Sequence, residues 1–273
     1  MGAARVDHRR MAMPGRRGLT PPRGDGRPAP PARGLIRWRP FGLQVLLVFA
    51  AAIAYFGVRD LTQGDIEIAE GNAEGIVSLE RALRIDWEGA FQDLIIGQDW
   101  LVNIANWVYI YGHWPVIGIT LVWLFLRAPF EYRILRNAMF ISGGIGLLVY
   151  ALYPVAPPRF GILDVVDTVT QRSSSYRTLQ PPGLINRYAA MPSLHFGWNL
   201  LVGIVIWRAT SGRLFHVAAV VMPVAMAYAV VVTGNHYVAD VFAGAAVALI
   251  GFACALVIAA DRAPAASGDR ARV

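Results

Sequence analysis

Six long apolar stretches constrain the fold of this 273-residue chain more than any other feature. Each approaches the ~20 residues that a helix needs to cross the hydrocarbon core of a bilayer. The chain is 56% hydrophobic, which argues against an ordinary soluble domain. The predicted fold is therefore an all-α, integral-membrane bundle of six transmembrane helices. The predicted spans are residues 41–58, 101–126, 137–155, 194–208, 214–233 and 238–260.

Arginine supplies all of the side-chain positive charge apart from histidine, because the chain contains no lysine. Residues 1–39 carry ten arginines and two aspartates, about +8, in a Pro- and Gly-rich context that is typical of disorder. This tail is predicted to be cytoplasmic, either as a topology signal or as an anchor on anionic lipid. It carries no nucleic-acid-binding motif, so no nucleic-acid partner is expected. Residues 40–260 then form the membrane domain, and residues 261–273 form a second cytoplasmic tail.

The arginine distribution also predicts the orientation of the bundle. With six spans, the arginine-bearing loops after the second and fourth spans fall on the same side as both termini, which is then the cytoplasmic side of the cell membrane. The extracytoplasmic side receives residues 59–100, 156–193 and 234–237. Loop 156–193 keeps arginines on this disfavoured side, including Arg159 and Arg187. They indicate either a phosphate-binding function or the stray charge of a loop of middle length.

Segment 73–96 is amphipathic rather than uniformly apolar. Apolar residues recur every three or four positions, with charged residues between them. The segment is too charged to span a bilayer, so a helix at the outer interface is predicted. The charged residues between the apolar ones are Glu80, Arg84, Glu88 and Asp93.

The second span carries a polar stripe of Asn103, Asn106, Tyr109 and His113. Polar groups in hydrocarbon are costly, so the stripe should face the bundle interior, where it lines a headgroup cavity or bonds neighbouring helices. His113 lies ~15 Å along a helix from Asn103, so it is predicted to be too deep for chemistry served by water. Pro115 is expected to kink this span or to end a hydrogen-bonded stretch.

The clearest chemical pattern lies where the fifth apolar stretch gives way to the sixth. His236 and Asp240 are four residues apart, so they share one face if a helix opens there. The carboxylate would hold the imidazole in one tautomer and stabilise its cation. A second histidine, His195, follows Pro192 and Ser193 near the start of the fourth span. Two histidines and one aspartate at span ends predict a phosphoryl-transfer site.

Groups that bind phosphate are predicted around these three residues. The third span ends in a stiff, proline-rich exit that holds Arg159. Pro192 suits the first turn of a helix, whose free N–H groups and positive dipole end attract phosphate. Ser193 and Asn235 offer further donors or serve as plain helix caps. Two histidines and one aspartate can bind zinc in principle, but no further ligand is evident, so no metal or other cofactor is expected.

Taken in order, these motifs resemble the type 2 phosphatidic acid phosphatase (PAP2) superfamily. The matching residues are Pro192-Ser193-x-His195 and His236-x-x-x-Asp240. The His-Tyr-x-x-Asp-Val form of residues 236–241 is similar to the branch that contains inositol phosphorylceramide synthases and bacterial inositol phosphotransferase-like proteins. The resemblance covers roughly residues 130–260, with weaker similarity in residues 76–115.

Two phosphate-binding cations of the phosphatase branch are missing. Leu152 stands where that branch has a lysine, and Val230 stands where it has an arginine. Arg159 matches the arginine of the first motif, although Phe160 replaces the proline that follows it. The resemblance therefore implies a differently built phosphate site. Its expected groups are Arg159, Arg187, Ser193, Asn235 and backbone N–H groups.

The resemblance implies catalysis on a lipid phosphate through a phosphohistidine. His236 would attack phosphorus, Asp240 would fix and stabilise its ring, and His195 would protonate the departing oxygen and then activate the acceptor. A water acceptor makes the protein a phosphatase, and an alcohol acceptor makes it a phosphotransferase. The alternatives are a lipid-binding or transport protein, or a degenerate member without turnover.

Overall fold

The computed structural model describes residues 38–61, 65–172 and 188–261. The predicted tails lie outside the described residues except at their inner ends, and Arg187 lies outside them too. Within these ranges the chain forms ten α-helices, a 3₁₀ turn at Pro158–Phe160 and a single parallel β-bridge between Val155 and Ala189. The helices are α1 (Trp38–Leu61), α2 (Ile66–Leu83), α3 (Glu88–Asp93), α4 (Asp99–Tyr111), α5 (Trp114–Arg127), α6 (Pro129–Leu152), α7 (Thr168–Arg172), α8 (Leu194–Ala209), α9 (Arg213–Val232) and α10 (Val238–Asp261).

The bundle is built around α10, which packs on α6 and α8, while α8 also packs on α9. Its core is apolar, with Leu135, Leu201 and Val202 completely buried, and each such side chain stabilises the fold by roughly 1.5–3 kcal/mol. A Cβ atom on Gly244 would overlap the backbone carbonyl of Ser193. Glycine at this position therefore lets α10 cross the start of α8 in direct backbone contact.

Several apolar helices indicate a membrane protein. Of the described helices, α6, α9 and α10 are long and apolar enough to cross a bilayer, and α4 with α5 would add a fourth as one bent span. The bend is 46°, and Pro115 lies in the first turn of α5, as expected for proline. Shorter apolar stretches occupy Phe41–Ile53 and Leu194–Ala209. Three to four candidate spans do not confirm the predicted six, which stay a prediction.

Segment 73–96 differs from the single amphipathic helix that was predicted. Helix α2 ends where Arg84 adopts a left-handed conformation (φ 57°), and α3 follows as a separate short helix. Arg84 is exposed, but Glu80 is 0% exposed and Glu88 is 1% exposed. These two glutamates therefore meet the beginning of α10 instead of solvent.

Candidate active site

The segments that carry the predicted site residues meet at one end of the bundle. The N–H group of Val155 donates to the carbonyl of Tyr188 (2.8 Å), and that of Ala190 donates back to Val155 (3.2 Å). The hydroxyl of Tyr237 donates to the carbonyl of Ala156 at 2.9 Å. These bonds join the exit of α6, the strand-like stretch before α8 and the turn before α10 into one unit.

The turn between α9 and α10 depends on Gly234. Its φ of 73° lies in the left-handed region, and a Cβ there would come within 3.1 Å of the carbonyl oxygen of Val166. The carbonyl of Gly234 accepts the N–H of Arg159 at 3.0 Å. The turn thus delivers Asn235 and His236 beside the exit of α6.

The ring of His236 is held by two acceptors at one nitrogen. Its Nδ1 lies 2.7 Å from the carbonyl oxygen of Ala190 and 3.3 Å from Oδ2 of Asp240. Because neither partner can donate, Nδ1 carries the hydrogen, and the neutral ring keeps its lone pair on Nε2. The local fold therefore leaves Nε2 as the ring nitrogen with an available lone pair.

Asp240 connects the first turns of two helices. Its Oδ2 also accepts the N–H of Tyr237 at 2.9 Å, and its backbone carbonyl accepts the N–H of Ser193 at 3.0 Å. The side chain is fully buried. The residue that orients His236 thereby also fixes the start of α8, which carries His195.

His195 belongs to a row of aromatic rings. Its ring centroid lies 5.9 Å from that of His236, 4.6 Å from that of Tyr109 and 4.3 Å from that of His113. The amide of Asn199 donates to the carbonyl of His195 at 3.0 Å and lies 3.5 Å from Nδ1 of His113. Two imidazoles on separate helix ends are thus brought within reach of one phosphate.

His113 was predicted to lie too deep for chemistry served by water, and its side chain is buried, at 3% exposed. Helix α4 stops at Tyr111 and α5 starts at Trp114, which leaves His113 at the bend, with its ring in contact with that of His195. That contact was not predicted. The sequence features that pointed to His113 and to a bend there were the polar stripe and Pro115.

The predicted phosphate ligands are only partly assembled. Nη1 of Arg159 donates to Oδ1 of Asn235 at 2.6 Å, and its Nε lies 3.4 Å from Oδ2 of Asp167. The structure therefore brings Arg159 and Asn235 together beside His236. Ser193 is buried, and its Oγ caps α8 by accepting the N–H of Phe196 at 3.5 Å.

Apolar side chains occupy the two positions where cations are missing. Leu152 is 74% exposed at the end of α6, whereas Val230 is fully buried in an apolar cluster. Along the described ranges, no group of three or more His, Cys, Asp or Glu side chains has the arrangement of a metal site. Arginine, amide and backbone groups are what this end of the bundle offers to a phosphate.

This fold and site define a helical membrane protein with two histidines and an aspartate converging at one end of the bundle. The sequence model of the PAP2 superfamily matches residues 74–254, about two thirds of the chain, and the chain belongs to that superfamily. Membership indicates a phosphatase- or phosphotransferase-type function. No curated protein and no solved structure gives a significant match. The matched region begins inside α2 and includes Glu80 and Glu88, which also lie in the range of weaker similarity, residues 76–115.

Proposed function

We propose that the protein is an integral-membrane enzyme that cleaves or transfers a lipid phosphate ester through a phosphohistidine on His236. The observation that carries this proposal is the double acceptor at Nδ1, from Ala190 and Asp240, which leaves Nε2 available for attack. A histidine held in one tautomer by a buried carboxylate is suited to nucleophilic catalysis. His195, with its ring 5.9 Å away, is the proton carrier.

The reaction has two displacements at phosphorus. Nε2 of His236 attacks phosphorus, the bond to the lipid oxygen breaks, and His195 donates a proton to that departing oxygen. His195 then removes a proton from the acceptor, whose oxygen attacks the phosphohistidine and releases Nε2. Asp240 stabilises the positive charge on the phosphorylated ring. Water as acceptor gives hydrolysis, and an alcohol gives transfer.

Phosphate is held by groups that differ from those of the phosphatase branch. Arg159, fixed by Asn235, supplies the positive charge, and first-turn N–H groups of α8 add donors. Ser193 accepts a bond from Phe196, and its own O–H hydrogen stays available as a donor. Arg187 belongs to the same proposal but lies outside the described residues.

An apolar cavity of about 270 Å³ supports a lipid substrate over a soluble phosphate ester. Its wall includes Trp114, Trp198, Gly143 and Leu147. The ring of Trp198 stacks on that of His113 at 5.7 Å, so the cavity adjoins the row of histidines. A hydrocarbon chain there would leave the phosphate end of the lipid near His195 and His236.

The proposal also includes the acceptor of the phosphate group and the membrane face on which the site lies. The His-Tyr-x-x-Asp-Val form of residues 236–241 supports the inositol phosphorylceramide synthase-like branch, in which the acceptor is an alcohol. The arginine distribution supports a site on the extracytoplasmic face of the cell membrane with both termini in the cytoplasm.

A screen of lipid phosphates with purified protein in detergent tests the proposal. Wild type and His236→Ala are compared for free phosphate and for new lipid species, each with and without EDTA. We expect turnover by wild type and none by His236→Ala; equal turnover by both would remove the proposed nucleophile. Loss on chelation that zinc restores would favour a metal mechanism. Lipid translocation in liposomes that survives both His195→Ala and His236→Ala would favour the transport alternative.

A further inference from the structure

Two buried glutamates bind the first N–H groups of the helix that carries Asp240. Oε1 of Glu88 accepts the N–H of Val238 at 2.7 Å, and Oε1 of Glu80 accepts the N–H of Ala239 at 2.7 Å. Oδ2 of Asp240 accepts the preceding N–H, that of Tyr237. Three consecutive backbone donors are therefore each bound by a different buried carboxyl group.

This arrangement exceeds what a helix N-terminus requires. One local Ser, Thr, Asp or Asn side chain is the usual cap, whereas Glu80 and Glu88 come from α2 and α3, about 150 residues earlier in the chain. The positive end of the helix dipole favours one negative charge near it. Three adjacent anions away from water are unfavourable, because they repel one another and lose their hydration.

One proton shared by the two glutamates resolves this conflict. The two carboxyls bind the N–H groups of neighbouring residues, Val238 and Ala239, and Oε2 of Glu80 is buried without any donor from the described residues. A proton on Oε2 lets Glu80 donate to Glu88, while both Oε1 atoms keep their backbone N–H groups. Burial raises the pKa of Glu80 from 4.5 to about 8, and it also raises the pKa of Glu88.

We propose that Glu80 and Glu88 form a singly protonated carboxyl pair that positions the His236–Asp240 turn for catalysis, and that loss of the shared proton loosens this turn. The inference rests on the proposed function for its kinetic consequence. The titratable groups that face the pair are Asp240 and Tyr237, both from the segment that opens α10. When the proton leaves, the pair and Asp240 carry three negative charges around one helical turn, and the α2–α10 contact weakens.

The matched substitution is Glu80→Gln. Its amide oxygen can accept the N–H of Ala239, and its NH₂ group can donate to Glu88, so it imitates the protonated acid at every pH. We expect the ratio of turnover at pH 9 to turnover at pH 7 to be at least threefold higher in Glu80→Gln than in wild type. Glu88→Gln leaves Glu80 as the remaining carboxyl of the pair, so the pair can never carry two negative charges. This variant should change the ratio in the same direction. Glu74→Gln, an exposed control on α2, should keep the wild-type ratio.

A second measurement separates this inference from the proposed function. An acid whose pKa is higher in the folded protein is protonated there after the unfolded chain has ionised, so stability falls as pH rises from about 5 to 8. The thermal midpoint of wild type should therefore fall more over this range than that of Glu80→Gln. Identical pH–rate profiles of wild type and both variants would overturn the positioning role. If wild type shows no turnover on any phosphate ester, the proposed function fails, and equal loss of thermal stability in wild type and Glu80→Gln would then overturn the shared proton.

Discussion

Replacing Asp240 by Asn separates the two functions that we propose for this carboxylate, which are fixing the tautomer of His236 and stabilising its positive charge. The substitution preserves size and leaves an oxygen that can accept the N–H of Tyr237, now 2.9 Å from Oδ2. It removes the negative charge. The tautomer should survive, because the carbonyl of Ala190 lies closer to Nδ1 (2.7 Å) than the carboxylate does (3.3 Å).

The expected fall in turnover of Asp240→Asn follows from the interactions of His236 that the substitution keeps. A hydrogen bond to a charged group contributes about 1.5–3 kcal/mol, which corresponds to a roughly 10- to 150-fold fall in turnover when it is lost from the transition state. In a Ser-His-Asp triad the same substitution lowers kcat by about 10⁴, because the histidine adopts the wrong tautomer. Here the carbonyl of Ala190 should prevent that larger loss.

The assay is turnover of the lipid phosphate identified by the screen, at pH 7, together with thermal unfolding of each variant. Asp240→Ala serves as the harsher comparison, since it also removes the cap on Tyr237 and should unfold at lower temperature. A 10⁴-fold loss in a folded Asp240→Asn protein would show that the carboxylate alone sets the tautomer. Full activity would show that its charge is not used. Either result would refute the reasoning.

Three further substitutions test the supports of the site. Gly244→Ala should lower the free energy of unfolding by about 1–3 kcal/mol, because the added Cβ overlaps the start of α8. Gly118→Ala is the control: its Cβ meets no neighbouring atom within 4 Å, so the same unfolding assay should show no measurable loss of stability. Ser193→Ala should cost about 1 kcal/mol, the worth of a helix N-cap, and an unchanged unfolding midpoint would contradict this. His113→Phe keeps a ring beside His195 but loses the contact between residue 113 and Asn199. Turnover should therefore fall roughly fivefold, the worth of one neutral hydrogen bond. Turnover equal to that of wild type would show that His113 only packs against its neighbours.

The convergence of His195, His236 and Asp240 could be predicted because it follows from chain order. The starts of alternate spans lie at the same end of a bundle, and a spacing of four places two side chains on one helical turn. The partner of Nδ1 could not be predicted in this way. Ala190 contributes a backbone carbonyl, and such a group leaves no signature in the sequence. The pairing of Arg159 with Asn235 was not predicted either, since the proline-rich exit of α6 indicated only that Arg159 is held there.

The roles of Glu80 and Glu88 were hidden for a different reason. Periodicity assigns charged residues to the polar side of a helix, and this rule holds only where that side faces water. Their acceptor atoms meet N–H groups about 150 residues away, so no local pattern shows the contact. The contact between the rings of His113 and His195 was not predicted either, because a contact between separate helices leaves no local pattern in the sequence.

The charge balance of the site connects these findings. Arg159 is the cation that the described part of the chain places beside His236, and Asp167 already lies 3.4 Å from its Nε. The carboxyls of Glu80, Glu88 and Asp240 are buried at the beginning of α10. A phosphate entering such a site is repelled by every additional anion, and the missing lysine and arginine cannot offset that repulsion. A proton shared by Glu80 and Glu88 removes one of those anions while both N–H groups of α10 stay bound. We expect the same proton to hold the turn that carries His236, the proposed nucleophile, and to weaken the repulsion of phosphate. A site with few cations could then keep two acids close to this histidine.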